Sequence, residues 1–348
     1  MNNEKNIILG LSVGDLNGVG LEIILRIFND SRMLDFCTPV IFGSQKSVNF
    51  VKKHLNLSIH CNYIKSLEKI AANKMNVFET YLDDFTIQFG EENARIGEVA
   101  VTSFKKATQA LKDNLIDVLV TAPINKHNIQ SEEFKFPGHT DYLNQELEGD
   151  SLMFLTAGNL RVGLLTDHVA IKDVATKITP DLINSKIDAV YNSLIKDFGI
   201  SKPKIAVLGL NPHTGDNGVI GEEDDTILRP TLLAIKDKGK LVFGPYSADS
   251  FFGSNTYKSF DAIVATYHDQ GLIPFKTLSF GEGVNFTAGL NRIRTSPDHG
   301  TAFEIAGKGI ANTNSFNEAI FQAIKLFKNR KLYSELTKEP LKSNKRKI

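Results

Sequence analysis

Three stretches of this chain share one design. Leu160 to Leu165 runs into Thr166-Asp167-His168, Lys204 to Leu210 into Asn211-Pro212-His213, and Asp261 to Thr266 into Tyr267-His268-Asp269-Gln270. Each is a short apolar run of strand length that closes on a histidine. Runs that are apolar on both faces read as buried strands of a parallel sheet, whose two faces are covered by helices. Ligands in open α/β sheets bind just beyond the carboxyl ends of the strands. If these three strands are sheet neighbours, their imidazoles converge on one edge. Local spacing does not announce them, since 168, 213 and 268 lie 45 and 55 residues apart. Three neutral imidazoles suit Zn²⁺ with one position left open for a substrate oxygen. Asp249 and Asp269 then stand as further ligands or as acceptors that fix the ring tautomers. The competing reading is three separate structural histidines.

Size and charge bound the rest. A chain of 348 residues exceeds what one core usually fills, so two domains are expected. Forty Lys plus Arg balance forty Asp plus Glu. That gives no basis for a nucleic-acid or anionic-membrane partner. Cys37 and Cys61 match no metal or redox spacing and read as reduced thiols of a cytoplasmic protein. The N-terminal apolar run is too short for a signal peptide, and no stretch approaches a membrane span.

In chain order, Ile7 to Val13 reads as a strand, Gly14 to Gly20 as a tight turn and Leu21 to Phe28 as a helix. The glycine spacing there is neither of the two nucleotide-loop patterns. Val40 to Gly43 is a strand and Lys46 to Leu55 a helix, while 57–92 reads as short strands and loops. Gly97 to Asn114 is an amphipathic helix, with Val101, Phe104, Thr108 and Leu111 at helical spacing. Ile116 to Val120 is a strand that delivers Lys126 to its carboxyl end. Pro137-Gly138 turns the chain, and His139-Thr140-Asp141 opens a helix whose free N–H groups, with the Thr140 hydroxyl, suit an anion; the competing reading makes Thr140 or Asp141 only its N-cap. Helices are also expected from Thr179 to about Phe198, from Gly221 onward, and from about Ser315 to Asn329. Pro274 is expected to prevent a helix directly after the third histidine-closed strand. The Lys-rich tail KSNKRKI reads as disordered. Lys126, Lys276 and Arg294 sit in loops of the kind that build phosphate pockets.

With GDLNGVGLE, TAPINK, GHTDYL, NPHTGDNGVIGEED, GPYSADSFF, YHDQGLIPFK and GVNFTAGLNRIRTSPDHGTAFEIAGKG in place, the chain resembles the 4-hydroxythreonine-4-phosphate dehydrogenases of pyridoxal-phosphate biosynthesis. The likeness runs from residue 14 to about 312. It implies an α/β fold of the isocitrate/isopropylmalate-dehydrogenase kind, with two α/β/α domains and a cleft between them. The domains implied are a discontinuous cofactor-side domain, 1–125 plus 285–348, and a central substrate and dimerisation domain, 126–284. It implies a homodimer with a shared active site. Carried over, His168, His213 and His268 hold a divalent metal, zinc first, with magnesium or cobalt as alternatives. His139, Thr140, Lys276, Asn285 and Arg294 become substrate contacts. His299, Gly300, Glu304, Gly307 and Asn312 fall on the adenosine-binding loop, and a carboxylate at Glu304 favours NAD over NADP. Asp249, Asp269 and Lys276 are the candidate general bases. The reaction implied is NAD-dependent oxidation and decarboxylation of 4-phosphohydroxy-L-threonine to 3-amino-2-oxopropyl phosphate. A dehydrogenase of erythronate or threonate 4-phosphate is the alternative, followed by a metal-dependent phosphohydrolase and a non-catalytic binding protein. Leu16 and Leu21 depart from the family by standing where it usually has prolines.

Overall fold

The computed structural model describes residues 6–82 and 84–338; the Lys-rich tail lies outside them. Twelve strands form one sheet. They are β1 (Ile8–Ser12), β2 (Thr38–Gly43), β3 (Cys61–Ile64), β4 (Met75–Glu79), β5 (Val118–Thr121), β6 (Gly149–Ala157), β7 (Leu160–Leu164), β8 (Lys204–Leu208), β9 (Leu241–Tyr246), β10 (Ala262–Ala265), β11 (Val284–Leu290) and β12 (Arg294–Pro297). Their spatial order is β3-β4-β2-β1-β5-β12-β11-β6-β7-β10-β8-β9. The first half, through β12, is parallel throughout. At the other end β7, β10, β8 and β9 are also parallel. Between them β11 and β6 run antiparallel to their neighbours. The sheet is therefore mixed, while the three histidine-closed strands β7, β10 and β8 are parallel neighbours as expected.

Among the described residues ten α-helices cover the sheet: α1 (Gly20–Phe28), α2 (Gln45–His54), α3 (Ala94–Lys112), α4 (His139–Glu146), α5 (Ile171–Lys177), α6 (Pro180–Lys196), α7 (Arg229–Asp237), α8 (Ala248–Gly253), α9 (His268–Ser279) and α10 (Asn314–Thr337). The layering follows from sequence. β5, β10 and β12 are buried on both faces, so each needs cover on both sides. α3 supplies it over β1, β2 and β5, α10 over β5, β12 and β11, and α9 over β7 and β10. α10 also spans the sheet's two halves. Phe316, Ala319 and Ile320 are buried in the main core. Further along, Arg330 Nε donates to Asp197 Oδ1 at 2.6 Å, just past the end of α6.

Two helix expectations are corrected. α9 begins at His268 and passes through Pro274 instead of being prevented by it. An interior proline costs ~3 kcal/mol, but Leu272 and Phe275 on the same helix are buried at about 1.5–3 kcal/mol each, which offsets it. Neither Thr140 nor Asp141 caps α4. The N-cap is Gly138, and no side chain bonds the free N–H groups. α10 also runs two turns further than its apolar pattern, to Thr337.

Candidate active site

A cavity of about 710 Å³ opens beyond the carboxyl ends of β5 and β7, against the start of α4 and the loop after β12. Its floor is Arg294, the first residue of β12 and only 2% exposed. Nε donates to Thr121 Oγ1 at 3.0 Å and Nη1 to Thr287 Oγ1 at 3.1 Å. Among the described residues no carboxylate pairs with it. Burial without a counter-charge pushes the guanidinium down to about 9. His139, at the start of α4, lies beside it with its ring edge-on to Phe104 at 4.5 Å. Burial first, and then the charges of Arg294 and Lys126, hold this imidazole well below its usual range. His139 Nε2, Asn285 Oδ1 and His299 Nε2 are buried and unpartnered at the same cavity. Buried polar groups are normally satisfied. An uncompensated cation with unspent hydrogen-bonding groups around it describes a place for a polar anion.

A second cavity of about 310 Å³ adjoins the first. Lys276 and Asp298 line both, with Nζ 3.2 Å from Oδ1. Burial, opposed by Lys276, raises the Asp298 carboxyl above the usual carboxylate range. On the far side stand His268 and Asp269. His268 Nδ1 is 2.7 Å from Asp269 Oδ1, which leaves Nε2 for a ligand.

The strand order explains the histidines. β10 lies between β7 and β8, so the three bearing strands are neighbours. His168 and His268 accordingly approach, ring centroids 5.7 Å apart. Two imidazoles sharing one ion, at Zn–N distances of about 2.0–2.1 Å, place their centroids roughly 5–6 Å apart, so this pair fits two positions of a metal site. His213 does not join them. Asp224 accepts from Leu210 N, Asn211 N and Asn211 Nδ2 and pins the loop. His213 and Thr214 are both left-handed there (φ 53° and 55°). Among the described residues no group of three or more metal-ligating side chains converges.

The other expected residues divide. Thr140, Lys276 and Asn285 line the main cavity, as do His299 and Gly300. Glu304 is exposed outside both cavities. Gly307 is a structural anchor, its N–H donating to the buried Glu22 Oε2 at 2.9 Å. Asn312 Oδ1 accepts from Asn314 N and steadies the start of α10. Asp249 lines neither cavity; its carboxylate accepts from Ser247 Oγ at 2.6 Å, which with the Ser250 backbone N–H lowers its pKa. Gln270 is structural: Oε1 accepts from Thr266 N, and Nε2 donates to Gly209 O. Asp298 and Lys186 line the main cavity without having been expected there. Asp298 stood in plain view between Arg294 and His299, whereas Lys186 lies among the polar positions of the amphipathic α6 and carries no local signal.

Residues 35–323 match the family described as "Pyridoxal phosphate biosynthetic protein PdxA". A Bacteroides thetaiotaomicron protein named 4-hydroxythreonine-4-phosphate dehydrogenase is 44% identical over 341 residues, covering 97% of this chain and 94% of that protein. A Cupriavidus necator protein named D-threonate 4-phosphate dehydrogenase is 36% identical over 325 residues, covering 92% and 97%. Among solved structures, one described as a 4-hydroxythreonine-4-phosphate dehydrogenase from Klebsiella pneumoniae superposes with a TM-score of 0.82 at 31% identity, covering 94% of this chain and 99% of that one.

Proposed function

The chain belongs to the pyridoxal phosphate biosynthetic protein PdxA family, and on that premise we propose that it oxidises and decarboxylates 4-phosphohydroxy-L-threonine to 3-amino-2-oxopropyl phosphate. The observation that carries this reading is Arg294: a buried guanidinium, bonded among the described residues only to two hydroxyls, at the floor of a cavity of about 710 Å³. A cation so placed and so partnered binds an anionic group of a small substrate. Neutral His139 supplies an additional hydrogen bond through Nε2, and Asn285 Oδ1 accepts one. Remote binding of the phosphate then orients the reacting carbons towards His168 and His268. Asp269, on Nδ1 of His268, fixes that ring with Nε2 facing outward.

NAD and a divalent ion complete the proposal. His299 and Gly300 offer the cofactor side of the cavity, and His168 with His268 would hold the ion, His213 being the third candidate ligand. When bound, NAD accepts a hydride and the ion supplies Lewis acidity at a carbonyl oxygen. Of the three candidate bases, Asp249 lies away from both cavities, while Asp269 is held by His268 and Lys276 by Asp298, so the Lys276 ammonium faces substrate as a hydrogen-bond donor. We place cofactor binding on 1–125 and 285–348, substrate and dimer contacts on 126–284, and the protein in the cytoplasm as a homodimer. Among the described residues no helix is long and apolar enough to cross a membrane.

The second reading keeps the phosphate, metal and NAD sites and replaces the substrate's 2-amino group by a hydroxyl. Relatives named D-threonate 4-phosphate dehydrogenase at 34–36% identity favour it over a phosphohydrolase. NADH formation with each substrate, with divalent metal supplied, separates the two. Turnover of 4-phosphohydroxy-L-threonine in preference to threonate or erythronate 4-phosphate is expected. Absence of that turnover overturns the first reading, and phosphate release without NAD overturns both.

A further inference from the structure

Lys276 by itself would be a poorly directed cation. Its side chain is 53% exposed on α9, and fixing a lysine costs up to about 2 kcal/mol of rotamer entropy. Asp298, with a side chain only 18% exposed, lies 3.2 Å from the ammonium. Asp298 is itself held from several sides. Its N–H donates to Ser315 Oγ at 3.0 Å and to Gly283 O at 3.2 Å, and Ser315 Oγ donates to the same Gly283 carbonyl at 2.6 Å. Gly283 also makes the room: a Cβ there would stand 3.1 Å from both Asp298 Cβ and Oδ2. The backbone of Asp298 is therefore fixed and its side chain is mostly buried, and the ammonium it pairs with sits where the two cavities meet.

We propose that Asp298 is a positioning residue, which fixes the direction of the Lys276 ammonium at the junction between the anion-binding floor and the His168–His268 end. This rests on the reading of the cavity as a site for a phosphorylated acid. The arrangement is a trade. A carboxylate beside the ammonium weakens its attraction for an incoming anion, so it opposes binding. In return the N–H donors are aimed before substrate arrives, which favours the reacting geometry. A merely structural carboxylate would make a different prediction, since its loss would loosen the site and weaken both binding and turnover.

The test is Asp298→Asn, which keeps shape and removes charge, with Asp298→Ser as a second variant should the first not fold. Inorganic phosphate affinity is measured by calorimetry, and kcat and KM by NADH formation. The expected result is phosphate binding tightened about three- to fivefold, the scale of a part-exposed ion pair, with kcat reduced at least tenfold. In a Lys276→Met background the same change should produce no further loss of kcat, because Asp298 acts through Lys276. Phosphate binding that is unchanged or weakened, or kcat losses that simply add, overturns the assignment. The phosphate measurement needs no turnover. An inactive wild type therefore sinks the proposed reaction while tightening or its absence still decides Asp298.

Discussion

Replacing Arg294 by Met should make the ligand-free protein more stable and abolish its response to phosphate. Burial pushes the guanidinium down to about 9, some three and a half pH units below its ordinary range. At about 1.36 kcal/mol per pH unit, keeping that charge buried costs the folded state about 5 kcal/mol at neutral pH. The sign follows from the depressed value. The unfolded chain holds the proton more tightly, so the cost is fully present below about pH 9 and disappears as pH rises towards the ordinary guanidinium range. Arg294→Met removes it with little change of volume. It also strands the hydroxyls of Thr121 and Thr287, at about 1 kcal/mol each. The balance is a gain on the order of 1–3 kcal/mol, which for a chain of this length is about 2–4 °C in Tm. Wild type should gain about 2.7 kcal/mol from phosphate at a hundredfold excess over Kd, and the variant almost nothing. Thermal unfolding in phosphate and in chloride at equal ionic strength reads both effects, with calorimetry for Kd. A variant whose ligand-free Tm falls while phosphate still stabilises it would show that Arg294 is a structural cation and that the anion sits elsewhere.

Three further outcomes are expected. His139 has a lowered pKa, so the unfolded chain takes up a proton that the native site refuses as pH falls through 6.5; His139→Gln should flatten the loss of stability between pH 7.5 and 5.5 by about 1.4 kcal/mol, read from urea midpoints, and an unchanged slope refutes it. Zn²⁺ should raise the Tm of wild type but not of His168→Ala or His268→Ala, and His213→Ala decides the third ligand by joining them or not. Gln270→Ala should cost about 2–3 kcal/mol, through lost bonds to Thr266 and Gly209, and leave phosphate Kd unchanged; a weakened Kd would place Gln270 in the site instead.

The histidine-closed strands were legible because burial on both faces leaves a plain mark: an unbroken apolar run with its first polar group at the sheet edge. What places β10 between β7 and β8 is tertiary, but the pattern required only that they be neighbours. The fate of His213 was not legible. His213 lies in a loop whose start, Leu210 and Asn211, is held by Asp224 far along the chain, and its backbone there is left-handed. β11 and β6 were missed for a related reason. β6 begins with exposed Gly149 and Asp150, and β11 is interrupted where the register shifts between Ala288 and Leu290 beside a left-handed Gly289. Those two strands carry the antiparallel centre of the sheet. Pro274 misled because a local penalty was weighed without the burial of Leu272 and Phe275 that offsets it.

The charge balance of forty against forty conceals what matters about the cations, which is the kind of partner each one has. Arg330 is spent on the Asp197 carboxylate and the Leu290 carbonyl. Arg26 is spent on Glu22 and the carbonyl of Ala311. Arg292, two residues before Arg294, donates to the carbonyls of Leu111 and Lys112 and so closes the carboxyl end of α3. Arg161 bonds the carbonyls of Asn159 and Asp261 and lies over Phe198. Arg294 has hydroxyls instead, and a hydroxyl aims a guanidinium without cancelling its charge. Lys276 occupies the intermediate case, a cation half-compensated by Asp298 and still exposed to the cavity. The difference is a real energetic one, because a carboxylate partner would remove most of the cost that an incoming anion is bound to relieve. A cation kept for a ligand is thus recognised by partners that orient it without a counter-charge together with the cavity it faces, and residue type and spacing along the chain carry neither.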